Sequence, residues 1–142
     1  MDASTDRLKS WSEYIESHVI GKEAEERFFT ICAAAKLRGK FPQWLIDIRR
    51  ASPDDDMRGI DAWADTTDAH EFKINVKASG RAARLSEESA RRNKTWEKQR
   101  RHLIVIIVVS QHRGDDRVWR HILYQLSCAR KQRRLKKNSK IP

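Results

Sequence analysis

Hydrophobic positions recur along this chain in two rhythms. In the first third the spacing is helical: Leu8, Trp11, Ile15 and Val19 mark one face of an amphipathic N-terminal helix, with Gly21 the point where it breaks or kinks. "KEAEERFFTICAAAKLR" follows, rich in helix formers and acidic in its first turn, which suits the helix dipole. Its buried side is predicted to hold Phe28, Ile31, Cys32, Ala35 and Leu37. Gly39, with Pro42 just beyond, supplies the stop.

After Pro42 the period shortens to two. "QWLIDIRRAS" reads as a strand with Trp44, Ile46 and Ile48 on one face, and "SPDDDMRG" as a loop. "IDAWAD" and "HEFKINVKAS" then form a hairpin around "TTDA", and in its second arm Phe72, Ile74 and Val76 alternate strictly with polar neighbours. "SEESARRNKTWEKQR" is a polar helix with Ser86 as candidate N-cap. "HLIVIIVVS" has the continuous β-branched character of a strand buried on both faces. After the turn "QHRGDD", "RVWRHILYQLSCARKQRR" is a last helix with Val118, Ile122, Leu126 and Tyr124 turned inward. This order predicts an α/β protein, a three-layer-like sandwich around a mixed four-stranded sheet. Its core order is α-β-β-β-α-β-α, with an extra helix in front. The 142 residues are read as one domain: helix 1–20, core 21–128 and basic tail 129–142.

Charge changes the picture next. The chain carries a formal +10, concentrated in two segments: Arg81–Arg101 at +5 and Arg130–Lys140 at +7, leaving the rest at −2. A near-neutral body with two basic segments suits a polyanionic partner such as DNA, and nothing in it separates DNA from RNA. Arg84, Arg91, Arg92 and Lys94 on the first segment, and Arg130, Lys131, Arg133 and Arg134 on the second, are the candidate phosphate contacts. Ser79 is a further one. The tail from Arg130 is expected to be partly disordered until it meets nucleic acid. The longest apolar run, Leu103 to Val109, is too short to span a bilayer, and the polar N-terminus lacks a signal-peptide core. Cys32 and Cys128 are far apart and without metal spacing, so both are read as reduced core residues. The expectation is an intracellular, cytoplasmic protein with no membrane partner, nucleoid-associated if bacterial.

The hairpin carries the candidate chemistry. Phosphodiester hydrolysis needs negative charge neutralised and a water made nucleophilic, which divalent cations on hard oxygen ligands supply. A three-residue loop, Thr67 to Ala69, sets Asp61 opposite Asn75 on one face, with Lys77 two residues further along it. The Val76 carbonyl is a further ligand candidate, and Trp63 shares the face of Asp61. The same register sets Asp65 opposite Glu71 and offers a second, shifted trio with Lys73 nearer the hairpin tip. Asp54, Asp55 and Asp56 read as a solvated loop, with Asp56 at most a secondary contact.

Asp61…Asn75-Val76-Lys77 resembles the PD-(D/E)xK signature of the restriction-endonuclease-like nuclease superfamily, and "RGIDAWA…INVKAS" is similar to the wording of its Mrr-like and Holliday-junction-resolvase-like members. The resemblance covers about Gly21 to Val109. It implies a metal-dependent DNA endonuclease that uses Mg²⁺, with Mn²⁺ able to substitute. Asp61 and Asn75 would bind metal and Lys77 would activate water. Glu25 in "GKEAEERFF", with Glu26 as its neighbouring alternative, would serve a second metal or orient the lysine. Small junction-cleaving members act as dimers, so the resemblance allows a homodimer, and with no separate recognition domain it implies recognition of DNA structure (a branch, nick or end). Most members have an acid where this chain has Asn75. Two alternatives therefore stay open: a degenerate DNA-binding module, or a subunit of a larger repair, defence or transposition complex.

Overall fold

A computed structural model describes residues 3–57, 59–92 and 104–139. The chain runs α1 (Ala3–Leu37), β1 (Leu45–Arg50), α2 (Pro53–Met57), β2 (Ala62–Thr66), β3 (Glu71–Lys77), α3 (Gly80–Arg92), β4 (Val105–Val108) and α4 (Asp115–Ser139). The strands form one sheet in the order β1-β2-β3-β4. The first two pairings are antiparallel and β3–β4 is parallel, with α3 on the crossover. The α/β class and the mixed four-stranded sheet are as the hydrophobic pattern predicts. Among the described residues, no helix is long and apolar enough to cross a membrane.

The core is built where the two rhythms meet. Phe28, Ile31, Cys32 and Ala35 from α1, Val118, Ile122 and Leu126 from α4, Phe72 and Ile74 from β3 and Ile107 from β4 form one buried cluster. Each large apolar side chain removed from water there is worth about 1.5–3 kcal/mol. Cys32 is sealed in it, and burial pushes its thiol up to about 12. Both cysteines are free.

Several expectations are corrected. α1 is a single helix of 35 residues that passes straight through Gly21. A mid-helix glycine costs only about 1 kcal/mol relative to alanine, too little to stop a helix with strong formers on both sides. Its first half finds no core: Trp11, Ile15 and Val19 are exposed, as is Leu37 at the other end. In β1 the buried residue is Leu45, and Ile46 is exposed, because a register irregularity between Leu45 and Asp47 reverses the alternation. In β4, Val105 and Ile107 are buried while Ile106 and Val108 are half-buried, so only one face is fully covered. Tyr124 is exposed, and Trp119 is buried in α4, stacked on Phe41 at 5.5 Å. α3 begins at Gly80, where the Ser79 Oγ accepts the Ala82 N–H at 3.1 Å, so Ser79 caps it and Ser86 lies within it.

The described part of the basic tail, up to Ser139, is helical. α4 continues to Ser139, and its arginines are tied to the hairpin end. Arg130 makes a two-pronged contact with Asp68, Arg134 approaches the same carboxylate at 3.8 Å, and Arg133 donates to the Ala69 and Glu71 carbonyls over the Phe72 ring. Helix formers without a breaker from Asp115 onward carry the helix, and Asp68 supplies the charge that seats it.

Candidate metal centre

The β2–β3 ladder runs Ala62↔Ile74, Trp63↔Lys73, Ala64↔Phe72 and Asp65↔Glu71, the register expected from a three-residue loop. The loop closes through the Thr66 N–H on the His70 carbonyl and the Thr66 hydroxyl on the same oxygen at 2.7 Å. His70, the residue just after the loop, takes a left-handed φ of 62°.

Asp61 lies just before β2 and is held at three points. Its N–H donates to the Ile74 carbonyl at 2.9 Å and its carbonyl accepts the Ala51 N–H at 3.1 Å. Its Oδ2 accepts the Val76 N–H at 2.7 Å. Had the ladder continued, the Val76 N–H would pair with the carbonyl of Ile60. The Asp61 carboxylate takes that place. Because N–H and C=O of one strand residue point to the same neighbour, the Val76 carbonyl also faces the Asp61 side.

A turn brings a third acid in. Ser52, Pro53 and the aspartates after them make a one-turn helix where a loop is expected. The Ser52 Oγ accepts the Asp55 N–H at 3.2 Å, and Asp55 in turn accepts the Trp63 indole N–H at 3.2 Å. The turn closes on Gly59, whose φ of 83° suits glycine and whose open side lies about 4.0 Å from the Asn75 amide nitrogen. Asp56 is thereby delivered to the same place as Asp61.

Glu25 reaches it from α1. One carboxylate oxygen each of Glu25, Asp56 and Asp61 lies within 4.8 Å of the others. Together with Asn75, Val76 and Lys77 they border one open cavity of about 380 Å³, roofed by Tyr14, His18 and Lys22 of α1. Burial pushes the Glu25 carboxyl above its ordinary value, the Asp61 and Asp56 charges push it further, and Arg50 pulls back. Burial also raises Asp61; the Val76 N–H opposes this, contact with Asp56 adds to it, and the Lys77 charge lowers it. Three acids so close repel one another, and a cation among them would relieve that.

The structure thus brings together Glu25, Asp61, Asn75, Val76 and Lys77. It separates the alternatives. Glu26 is turned away into a two-pronged ion pair with Arg50, 2.8 Å at both ends. The shifted trio is tied up as a surface network at a second, larger cavity of about 620 Å³ by the hairpin end. There Arg49 bridges Asp65 at 3.0 Å and Glu71 at 2.8 Å, while Lys73 lies over the Trp63 ring. Among the candidate phosphate contacts, Arg84 on α3 and Lys131 on α4 are exposed, whereas Arg130, Arg133 and Arg134 are engaged within the chain. The side chains of Arg91 and Arg92, and all of Lys94, lie outside the described residues.

Asp56 is the residue that sequence reasoning undervalued. The signal was present, since serine, proline and acids in succession mark a helix N-terminus. Searches against protein families, curated proteins and solved structures return no match for this chain.

Proposed function

We propose that this chain is a divalent-metal-dependent DNA endonuclease, a variant of the PD-(D/E)xK arrangement in which Asp56 supplies the negative charge that Asn75 lacks. One observation carries it: Glu25, Asp56, Asp61, Asn75 and Lys77, from four separate segments, border a single cavity.

The donor set fits Mg²⁺ or Mn²⁺. Metal–oxygen distances of about 2.0–2.1 Å put the oxygens around one octahedral ion roughly 3–4 Å apart, and the three carboxylates are already within 4.8 Å. All the donors are hard oxygens: Glu25, Asp56 and Asp61 as anions, the Asn75 and Val76 carbonyls as neutral ligands. When bound, such an ion neutralises phosphate charge and makes water a better nucleophile at neutral pH. Lys77, on the same cavity, would orient the attacking water, and its charge balances the acids. Val76 and Ala51 hold Asp61 against reorientation. Arg84 contacts backbone phosphate without reading sequence.

Asn75 also supports a second reading, a DNA-binding module that does not cut. A nuclease assay on linear, nicked and four-way-junction DNA decides between them, run with Mg²⁺, Mn²⁺ or EDTA. The expected result is metal-dependent cleavage lost in Asp61→Asn and Lys77→Ala, with DNA binding retained. Salt-sensitive binding without cleavage under any metal would replace the nuclease reading by the binding one.

A further inference from the structure

Two exposed helix faces of this chain are opposite in charge and alike in shape. On α1, Trp11, Ile15 and Val19 follow one another at four-residue steps, with Glu16 and Glu23 beside them. The buried positions of the same helix are Ala24, Phe28, Ile31 and Ala35. At 3.6 residues per turn their seam runs on the opposite side from Ile15 and Val19. Every residue from Trp11 to Val19 is exposed, so nothing described in its own chain buries that stretch. Helices in proteins owe most of their stability to the packing of an apolar face, and here that face has no cover. On α4 the buried side is Val118, Ile122, Leu126 and Ala129, and the opposite side carries Arg120, Tyr124, Lys131 and Leu135, all exposed.

From Trp11 to Glu25, α1 holds four glutamates and one lysine, while α4 from Arg117 to Ser139 holds eight cations and no acid. Charges turned toward the sheet are engaged inside the chain, Glu26 with Arg50 and Arg130 with Asp68. Among the described residues, no ion pair takes up Glu16, Glu23, Arg120 or Lys131. The faces also match in length: at 1.5 Å per residue, Trp11 to Glu23 spans about 18 Å and Arg120 to Leu135 about 22 Å. An acidic face repels nucleic acid and an anionic lipid surface alike. What suits it is a basic helix with apolar side chains between its cations, and every copy of this chain presents one. The chain's +10 resists association in general. Between these two faces, however, the charges are opposite, which makes the attraction local and fixes its orientation.

We infer that this chain forms a symmetric dimer in which the Trp11–Glu23 face of α1 packs on the Arg120–Leu135 face of α4 of a second copy, and reciprocally. Both faces sit on every copy, so one twofold axis makes the contact twice. Ile15 and Val19 lie one residue, about 100° round the helix, from Tyr14 and His18, which border the candidate centre. The second copy therefore braces the helix that roofs the centre without occupying the cavity. The contact needs no chemistry at the centre, so it stands whether or not the chain cleaves DNA.

The test is sedimentation velocity of the full chain in EDTA, with no nucleic acid present. Wild type is expected to dimerise, with a dissociation constant that rises with salt. Glu16→Lys combined with Glu23→Lys gives a monomer, and so does Arg120→Glu combined with Lys131→Glu. An equimolar mixture of those two monomers dimerises again, because each of the two contacts in the mixed pair joins opposite charges. Ile15→Ala weakens the wild-type dimer about 10-fold, the usual effect of removing a buried aliphatic side chain. Far-ultraviolet spectra, taken at a dilution where wild type is monomeric, show every variant as helical as wild type. A wild type that stays monomeric at its highest soluble concentration overturns the inference. A dimer that both reversals leave intact overturns the assignment of these faces, as do reversed variants that stay apart when mixed. A chain that is always monomeric, and in which the α4 reversal weakens DNA binding, gives that face to nucleic acid instead.

Discussion

The Asp61 carboxylate accepts the Val76 amide hydrogen at 2.7 Å, so an acid of the candidate centre also closes the sheet ladder where β2 leaves β3. One side chain thus serves structure and site, and the two roles separate by substitution. Asp61→Asn keeps an oxygen for Val76 and removes the charge that opposes Asp56 and Glu25. The metal-free protein is expected to melt higher than wild type, to show no rise in Tm with Mg²⁺, and to lose cleavage. Asp61→Ala leaves the Val76 N–H without its acceptor and is expected to lose about 1–3 kcal/mol. Thermal melts with EDTA and with Mg²⁺ read both. A lower Tm for Asp61→Asn than for wild type in EDTA would contradict the repulsion argument.

Burial first, and then the same crowding, set a pH dependence. Glu25 and Asp61 bind protons more tightly folded than unfolded, from ordinary values of 4.5 and 3.8 upward. Their contribution to stability is complete below those values and is lost as pH rises through the folded ones. His121 acts in the opposite sense. Burial, and then Arg113, hold it below its ordinary 6.5, while its Nε2 accepts the Val108 N–H at 3.2 Å. It favours the fold above that pH and loses this as pH falls. The carboxylate effect is therefore isolated in the difference between wild type and Asp61→Asn, measured in EDTA. That difference is expected to grow from pH 4 toward neutrality, and a flat one would refute it. The Mg²⁺-induced rise in wild-type Tm grows over the same range, because the ion competes with protons.

Asn75 tests the idea that Asp56 restores the missing charge. Asn75→Asp adds a fourth acid to the cavity. The metal-free protein is expected to lose stability and to bind Mg²⁺ more tightly, by calorimetric titration. Asp56→Asn should weaken binding in the wild-type background and be largely rescued when combined with Asn75→Asp. If Asp56→Asn leaves Mg²⁺ affinity unchanged, Asp56 is a bystander.

Much of this was legible in the sequence because it depends on local period. The alternation of Phe72, Ile74 and Val76 and the length of the hairpin loop set the register as far as Ala62 opposite Ile74. The expected Asp61–Asn75 pair is not formed, because Asp61 leaves the ladder with its N–H on the Ile74 carbonyl, and it meets Asn75 and Lys77 at the cavity instead. Glu25 follows because Phe28, Ile31, Cys32 and Ala35 seat the second half of α1 on the sheet. What was not legible depends on long-range partners or on a balance of small terms. Arg130 and Arg134 look free until Asp68, far away in sequence, is seen beside them. Gly21 looks like a break until its roughly 1 kcal/mol is weighed against the helix formers around it. The Asp61 side chain replacing a backbone carbonyl has no sequence signature.

Two lysines on β3 discriminate between the candidate trios. Lys77 borders the cavity with Asp61, while Lys73 sits over Trp63 beside acids already paired with Arg49. Lys77→Ala is expected to lower the cleavage rate by about 10²–10⁴, the usual worth of a positioned proton-transfer group. Lys73→Ala is expected to leave the rate unchanged, since Lys73 lies over the Trp63 ring and does not border the cavity. Single-turnover rates at saturating Mg²⁺ make the comparison. The reverse pattern would move the centre to Asp65 and Glu71.

Gly21 borders the cavity from the middle of α1, and a Cβ built on it meets nothing within 4 Å. Its backbone is helical, so the position needs no glycine for conformation. Gly21→Ala is therefore expected to raise stability by about 0.5–1 kcal/mol, the entropy a mid-helix glycine forfeits. The natural chain forgoes that gain at a point where the helix passes over the acids, and keeping the cavity open gives a reason. Gly21→Phe preserves the helix and is expected to fill the space between Tyr14, His18 and the centre, removing cleavage while the far-ultraviolet spectrum stays helical. If both variants cleave as wild type does, the substrate does not enter past α1, and the route to Asp61 lies along α3 and Arg84 instead.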